Sequence, residues 1–404
     1  MKKLLVALLV FTGVFALAAC GADDDTQGVF EDRVVVGNAA ATSGGFASVG
    51  VPFNSAIEAY FAMVNEDGGI AGRELEFVHY DDEFDGAQGL TYTQRLVEDD
   101  QVFALVGHFG TPTVGATHDY LNELGVPRVY YATGISQLFN PAATGGERYS
   151  FPVQPIYDAE GEVMVARAVA EYDASKIGVI YTNADDGNGM LNGIELRAQQ
   201  LGIELVTQQV APDSSDMSSA ANTIVSEDVD AVIVAANQVP AEVAIKALYS
   251  ASSDAPVFTS YVNAAESFIA NLADEIESGQ FPIYSNAWVN IFAEDGASFN
   301  EGYLQFAEEN PDYAANSYAM AGWIAAHFFV EGLRRVGEDE LTWETYLEAM
   351  ESEPVENPMG GIVDFADGRR AGTQSMALLQ ATVDGETYVW ANFRPMEDIQ
   401  AILD

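Results

Sequence analysis

The chain has 404 residues, of which 62 are Asp or Glu and 16 are Lys or Arg, for a formal net charge of −46. That balance excludes nucleic acid as a partner by repulsion and makes anionic membrane surfaces equally unattractive; self-repulsion at low salt raises a saline habitat as a hypothesis. A hydrophobic content of 49% excludes a disordered chain, and the length predicts two domains or three.

Residues 1–19 read as a lipoprotein signal peptide. Lys2 and Lys3 open it, and the apolar run over 4–19 is too short for a comfortable membrane span. It ends in Leu17-Ala18-Ala19-Cys20-Gly21, small residues before a cysteine, which resembles a bacterial lipobox. The resemblance implies that Cys20 is lipidated and becomes the first mature residue; an ordinary signal peptide ending near a cysteine is the alternative. Two acyl chains anchor stably where one is marginal. Cys20 is the only cysteine, so neither an intramolecular disulfide nor a cysteine-based metal site can form. Residues 20–32, acidic and without apolar periodicity, read as a solvated, lipidated tether. The expected location is extracytoplasmic, lipid-anchored to the cell membrane, in a periplasm or on the outer face of the cytoplasmic membrane.

From 33 onward, short β-type runs alternate with amphipathic helical runs. Strands are expected over 33–38, 75–80, 102–107 and 126–130, with helices over 51–66, 86–99 and 113–124 between them. Such alternation predicts a mostly parallel sheet covered on both faces. The pattern restarts with helices over 160–172, 188–201, 215–226 and 241–250 and strands over 176–181, 203–209, 231–235 and 257–260. The crossing between the two units falls near 150–155, where Pro152 and Pro155 stiffen the chain. Beyond 281 the reading is an extended run to 287, helices over 297–309, 313–336 and 342–352, and strands over 361–365, 376–383 and 388–393. The expected fold is therefore α/β: two doubly wound, Rossmann-like lobes with mostly parallel sheets joined by a three-strand hinge. Lobe one is expected over 33–152 plus 283–354, and lobe two over 153–282 plus 355–404.

Several motifs then fall into a familiar order. Gly44-Gly45-Phe46-Ala47-Ser48-Val49-Gly50 follows the first strand. Asn65-Glu66-Asp67-Gly68-Gly69-Ile70-Ala71-Gly72 closes the first helix, Tyr80-Asp81-Asp82 follows the second strand, and Gly107-His108 ends the third. Together they resemble the type I periplasmic binding proteins of the leucine/isoleucine/valine-binding group. The resemblance covers nearly everything from Arg33 to the C-terminus. It implies two lobes that close on a ligand, and a solute-binding subunit serving an ABC permease, with no catalysis.

Candidate site residues follow from strand ends, where open parallel sheets hold ligands. Thr111 is read as the N-cap of the next helix with Pro112 at its first position, and a helix N-terminus with a hydroxyl makes an anion site. The resemblance implies that this loop holds a ligand carboxylate; simple helix capping is the alternative. Tyr131, Ala132 and Thr133 follow the fourth strand, where the resemblance implies a second ligand loop and the alternative is an ordinary turn. In lobe two, Asp186 stands where the family often carries a Tyr that covers the ligand. It either faces a ligand ammonium or is a solvated acid. Asn237, Gln238 and Tyr261 follow later strands. The family's amino-acid binders usually place a Glu near Tyr261 for the ammonium, so its replacement makes a carboxylate or amide without an ammonium a live alternative. Ser43, Phe46 and Tyr318 complete the lobe-one side.

Chemistry-bearing motifs are missing. Gly187, Gly189 and Gly193 miss the dinucleotide fingerprint, no P-loop or Gly-x-Ser-x-Gly elbow occurs, and His79, His108, His118 and His327 lack metal spacing. The expectation is a monomeric binder, not an enzyme, without cofactor or metal. It takes a small amino acid of the branched-chain type or a related carboxylate or amide. The alternatives are a ligand-sensing receptor coupled to a signalling partner, a binder of a non-amino-acid organic acid, and an α/β enzyme with an unrecognised site.

Overall fold

The computed structural model describes residues 26–289, 301–314 and 316–404. The signal peptide, Cys20 and the first part of the expected tether lie outside them. The tether is shorter than expected at its other end. Gln27 donates to the Val102 carbonyl at 2.8 Å, and Val29 bridges to Val34. From Gln27 on, the chain is part of the folded body.

The first unit contains β1 (Arg33–Ala40), α1 (Ala47–Glu66), β2 (Glu74–Asp81), α2 (Gly86–Glu98), β3 (Ala104–Phe109), α3 (Thr111–Leu124), β4 (Arg128–Ala132) and β5 (Ser150–Phe151). Its five strands pair in the order β2-β1-β3-β4-β5, all parallel. β3 is buried along its whole length, which accounts for its near-continuous apolar sequence. Asp85 starts α2 by accepting from the Ala87 and Gln88 amides, each at 2.9 Å.

The second unit runs through α4 (Tyr157–Tyr172), β6 (Lys176–Thr182), α5 (Asp185–Leu201), β7 (Glu204–Val210), α6 (Ser218–Ser226), β8 (Ala231–Ala235), α7 (Val239–Ser250), β9 (Val257–Thr259), α8 (Glu266–Ala270), α9 (Ala273–Ser278) and β10 (Ile283–Ala287). The chain then adds α10 (Glu301–Glu309), α11 (Ser317–Val336), α12 (Trp343–Ser352) and a two-stranded ribbon of β11 (Val355–Glu356) and β12 (Ile362–Val363). It ends with β13 (Ser375–Asp384), β14 (Thr387–Asp398) and α13 (Ile399–Leu403). The second sheet has the order β14-β13-β10-β9-β8-β6-β7. It is parallel from β7 to β10 and antiparallel where the β13–β14 hairpin extends it. The architecture is thus α/β with two lobes, each built on a mostly parallel sheet.

Two expected lobe boundaries do not coincide with the sheets. Residues 283–287, assigned to lobe one, pair with β9 and β13 in the second sheet, so the crossing falls after Ala287. The segment after 355, assigned to lobe two, still packs on the first unit. Phe365 meets Phe151 edge-on at 5.3 Å, and the Arg370 guanidinium lies over the Phe151 ring at 4.8 Å. Only after Arg370 does the chain cross again, and there the Thr373 amide donates to the Val153 carbonyl of the first crossing at 2.6 Å. Three crossings remain, at 152–156, after 287 and at 371–374.

α11 is buried along most of its length and lies against α1. The contact is close because residue 322 is glycine: a Cβ there would sit 1.9 Å from the Phe53 carbonyl oxygen. Gly107 and Tyr130, neighbours on β3 and β4, both take the left-handed region, at φ 69° and 65°. A Cβ on Gly107 would strike the Phe53 ring, whereas Tyr130 bears this uncommon conformation with a full side chain.

Candidate functional site

A cleft of about 730 Å³ opens between the two sheets, beyond the C-terminal ends of their parallel strands. Its lobe-one wall is largely aromatic: Phe46, Phe53, Phe84, Phe109 and Tyr130. Phe46 and Phe84 stack with ring centroids 3.7 Å apart. Tyr318 and Ala321 of α11 complete that side, and Trp288 enters where β10 ends. Among the described lining residues there is no Lys, Arg or His; the charged ones are Asp185, Asp186 and Asp213. No group of His, Cys, Asp and Glu able to hold a metal occurs among the described residues.

Thr111 lines the cleft, but its local role differs from the expectation. Gly110 is the N-cap of α3, at φ 84°, and Thr111 is the first helical residue with Pro112 behind it. The Thr111 hydroxyl is therefore free of capping and instead meets the Thr133 hydroxyl at 2.8 Å. Thr133 is buried just behind it. Ala132 also lines the cleft. Tyr131 does not: its ring turns to the other face of the sheet, and its phenol bonds Ser150 at 2.9 Å and accepts from Arg128 at 3.1 Å. Alternation along β4 dictates this, since neighbouring residues face opposite sides. Ser43 is also outside the lining; its amide is held by Asp81.

In lobe two, Asp186 sits in the first turn of α5 and accepts from the Asn237 amide at 2.9 Å. Enclosure by the lobes raises its pKa above the usual carboxylate value, and backbone N–H donors at the helix start oppose that rise. The Asn237 Oδ1, the Thr182 hydroxyl and the Ser317 hydroxyl are buried without a partner, and all three residues line the cleft. Gln238 holds a strained backbone, φ 55° and ψ −128°, fixed by its amide donating to Asn263 Oδ1 at 2.7 Å. Its side chain then reaches across to the Tyr318 hydroxyl and donates to the Val262 carbonyl at 2.7 Å. Tyr318 itself donates to Val262 at 2.7 Å. α11 is thereby tied to the loop after β9, one lobe to the other.

Tyr261 lines the floor, with its phenol committed on both sides. It donates to the Pro155 carbonyl at 2.8 Å and accepts from Gln154 at 3.2 Å. Beneath it lies Glu160, fully buried on α4, which accepts from the Tyr261 amide at 2.6 Å, the Ser260 hydroxyl at 2.9 Å and Asn286 at 3.3 Å. Burial pushes its pKa up to about 8, against those three donors.

The structure therefore brings together Phe46, Thr111, Ala132, Asp186, Asn237, Gln238, Tyr261 and Tyr318, with Thr133 one step behind. It adds residues that the sequence reading did not single out. Trp288 sits at a strand end and was accessible to the rule that found the others. Gln154 lies in the predicted crossing and Tyr157 two residues past its end, where a polar and an aromatic residue on either side of Pro155 were the available signal. Phe84 and Glu160 carry no local sequence signal.

Comparison with known proteins adds the following. A family model described as "Periplasmic binding protein" matches residues 33–386. The chain is 27% identical over 170 residues to the Leu/Ile/Val-binding protein homolog 2 of Brucella abortus, covering 42% of this chain and 44% of that one. It spans about half the length of the curated relatives it matches. Among solved structures, a fatty acid ABC transporter substrate-binding protein from Thermomonospora curvata superposes with a TM-score of 0.78 at 20% identity, covering 93% of this chain and 95% of that one. A branched chain amino acid ABC transporter from Thermus thermophilus with bound valine gives 0.77 at 18%, covering 93% and 98%. At such identities these structures speak to the fold.

Proposed function

The chain belongs to the periplasmic binding protein family, a family of solute-binding proteins and not of enzymes, and from that premise we propose that it is the extracytoplasmic receptor of an ABC importer. A small solute enters between the lobes, the lobes shut by hinge motion, and the closed form delivers it to a membrane permease. The observation that carries this reading is the cleft itself, set at the strand ends of both sheets and latched from lobe to lobe by Tyr318, Gln238 and Val262. Such a latch rewards closure, which a receptor needs and a rigid protein does not.

The ligand class is the family's small amino acids, above all branched-chain ones, or a related carboxylate or amide. The polar head sits at the start of α3, where the Thr111 hydroxyl and backbone N–H groups converge, with Thr133 behind. Ala132, Asp186, Asn237, Gln238, Tyr261, Phe46 and Tyr318 line the rest. The relatives' printed names, spanning branched-chain amino acids and a fatty acid, support a carboxylate-bearing guest. Lipidation of Cys20 would hold the receptor beside its permease.

The test is calorimetric titration and thermal melting of the mature chain against a panel of amino acids, organic acids and amides. Saturable binding with a raised melting temperature and no consumption of the solute is expected. Steady turnover of any bound compound, or no response from the whole panel, would overturn the receptor reading.

A further inference from the structure

We infer that the guest of this cleft is an ammonium-free amphiphile: a carboxyl or amide head on an apolar body much larger than a branched-chain side chain. This rests on the receptor reading but sets aside its amino-acid ligands and keeps the carboxylate or amide alone.

Size is the first argument. The cleft holds about 730 Å³, a volume in the range that buries drug-sized molecules and about five times a cavity that accepts benzene. A branched-chain amino acid leaves most of it unfilled. A void lined by aromatic rings that the guest does not touch forfeits the dispersion contacts and apolar burial that would hold the guest.

The lining is the second argument. Phe46, Phe53, Phe84, Phe109 and Trp288 present carbon, and the polar groups gather elsewhere. The hydroxyls of Thr111 and Thr133 are in contact, and the Tyr157 phenol, whose pKa burial raises, lines the cleft beside them. Asp186 is bonded to Asn237. One polar cluster beside one apolar chamber matches a guest with one head and one body.

The third argument concerns the ammonium. A zwitterion needs a free ionised acceptor close to the carboxylate site. The phenol oxygens of Tyr261 and Tyr318 are each engaged as donor and acceptor within the protein. Of the three acids in the lining, Asp185 and Asp213 are exposed to solvent, which screens their pull on an ammonium, and the less exposed Asp186 is held by Asn237 and by the start of its own helix, with burial raising its pKa. With the Thr182 and Ser317 hydroxyls, an unpartnered acceptor of the lining is Asn237 Oδ1, on a residue more than nine-tenths buried. It suits the N–H of an amide or the O–H of an acid. The head's carbonyl oxygen accepts from Thr111 and the α3 amides on the other side.

The experiment is calorimetric titration of the mature chain with hexanoic, octanoic and decanoic acids, the matching primary amides, 2-aminooctanoic acid and leucine. Each added methylene should tighten binding about fourfold until the chamber fills. Octanoic acid or octanamide should bind at least tenfold more tightly than 2-aminooctanoic acid, and the acid and amide arms separate the two heads. Leucine or 2-aminooctanoic acid binding as tightly as the better octanoyl compound overturns the inference and leaves the receptor intact. So does an affinity that is flat from six to ten carbons. Silence from every compound overturns both.

Discussion

Glu160→Gln isolates one buried carboxyl from the 62 acidic residues of the chain. Glu160 is 0% exposed and accepts from the Tyr261 amide, Ser260 and Asn286. Burial lifts its pKa from 4.5 to about 8. Between those values the native state holds a proton that the unfolded chain has released, so stability falls as pH rises through the window. The stabilising contribution is fully present below 4.5 and gone above about 8. At about 1.36 kcal/mol per pH unit, wild type should lose about 3 kcal/mol through this residue between pH 6 and pH 9. Glutamine mimics the protonated form: its Oε1 can accept from the Tyr261 amide and its Nε2 can donate to the Ser260 hydroxyl. Urea unfolding near pH 4.5 should therefore separate the two proteins by less than about 1 kcal/mol, whereas the variant should be the more stable by about 2 kcal/mol at pH 6 and about 5 kcal/mol at pH 9. Many other carboxylates titrate in both proteins and cancel in the difference. Parallel stability profiles from pH 5 to pH 9 would refute the assignment of a protonated carboxyl beneath Tyr261.

Further expectations concern the site, the hinge and the surface. Thr111→Ala should weaken binding of the tightest panel solute by about 1–3 kcal/mol if the hydroxyl holds a buried head, and an unchanged dissociation constant would place the head elsewhere. Tyr318→Phe removes the donor to Val262 and the acceptor for Gln238, so titration should show affinity down about five- to tenfold; unaltered affinity would mean that the latch does not contribute to closure. Arg370 is 1% exposed and pairs with Glu351 at 2.6 Å, so Arg370→Ala should lower unfolding stability by about 3–5 kcal/mol, and a loss below about 1 kcal/mol would count against a buried pair. The net charge of −46 predicts a melting temperature that rises from dilute buffer to molar salt; a flat profile would remove self-repulsion as a factor.

What the sequence made legible follows from range. The alternation of strand and helix, the parallel sheets and the strand ends bearing Thr111, Asn237 and Tyr261 are set by local periodicity and by a rule tied to strand direction. Lobe membership after 281 is not local. Nothing within 283–287 distinguishes a strand of the first sheet from one of the second, and pairing with β9 and β13 decides it. Nor does 355–370 announce that Phe365 and Arg370 will pack on Phe151. The misplacement of Tyr131 has a different origin. Three consecutive residues were assigned to one site, although alternation on a strand sends the middle and outer ones to opposite faces. Glu160 was invisible because a carboxyl inside an amphipathic helix reads as solvated unless its burial is known.

If the lobes close on a guest as proposed, the geometry links what that guest touches to their motion. Tyr130 of the first sheet donates to Gln154 on the first crossing at 3.0 Å, and Gln154 donates to Tyr261 on the floor of the second lobe. Tyr157, one turn of chain further, stacks on Tyr261 with centroids 5.9 Å apart. The first crossing is thus held from both lobes by residues that border or line the cleft. A guest that reaches this group presses on the hinge strand directly. Yet a ligand shifts a closure equilibrium only by the difference in its contacts with the open and closed forms. A guest seated at Thr111 alone would meet one wall in either form and gain little from closure. One long enough to span from Thr111 past Phe46 and Phe84 to the Val262 loop gains its second set of contacts only when the lobes shut. In a cleft of this size, the affinity that drives closure has to come from the apolar body, with the polar head fixing its orientation.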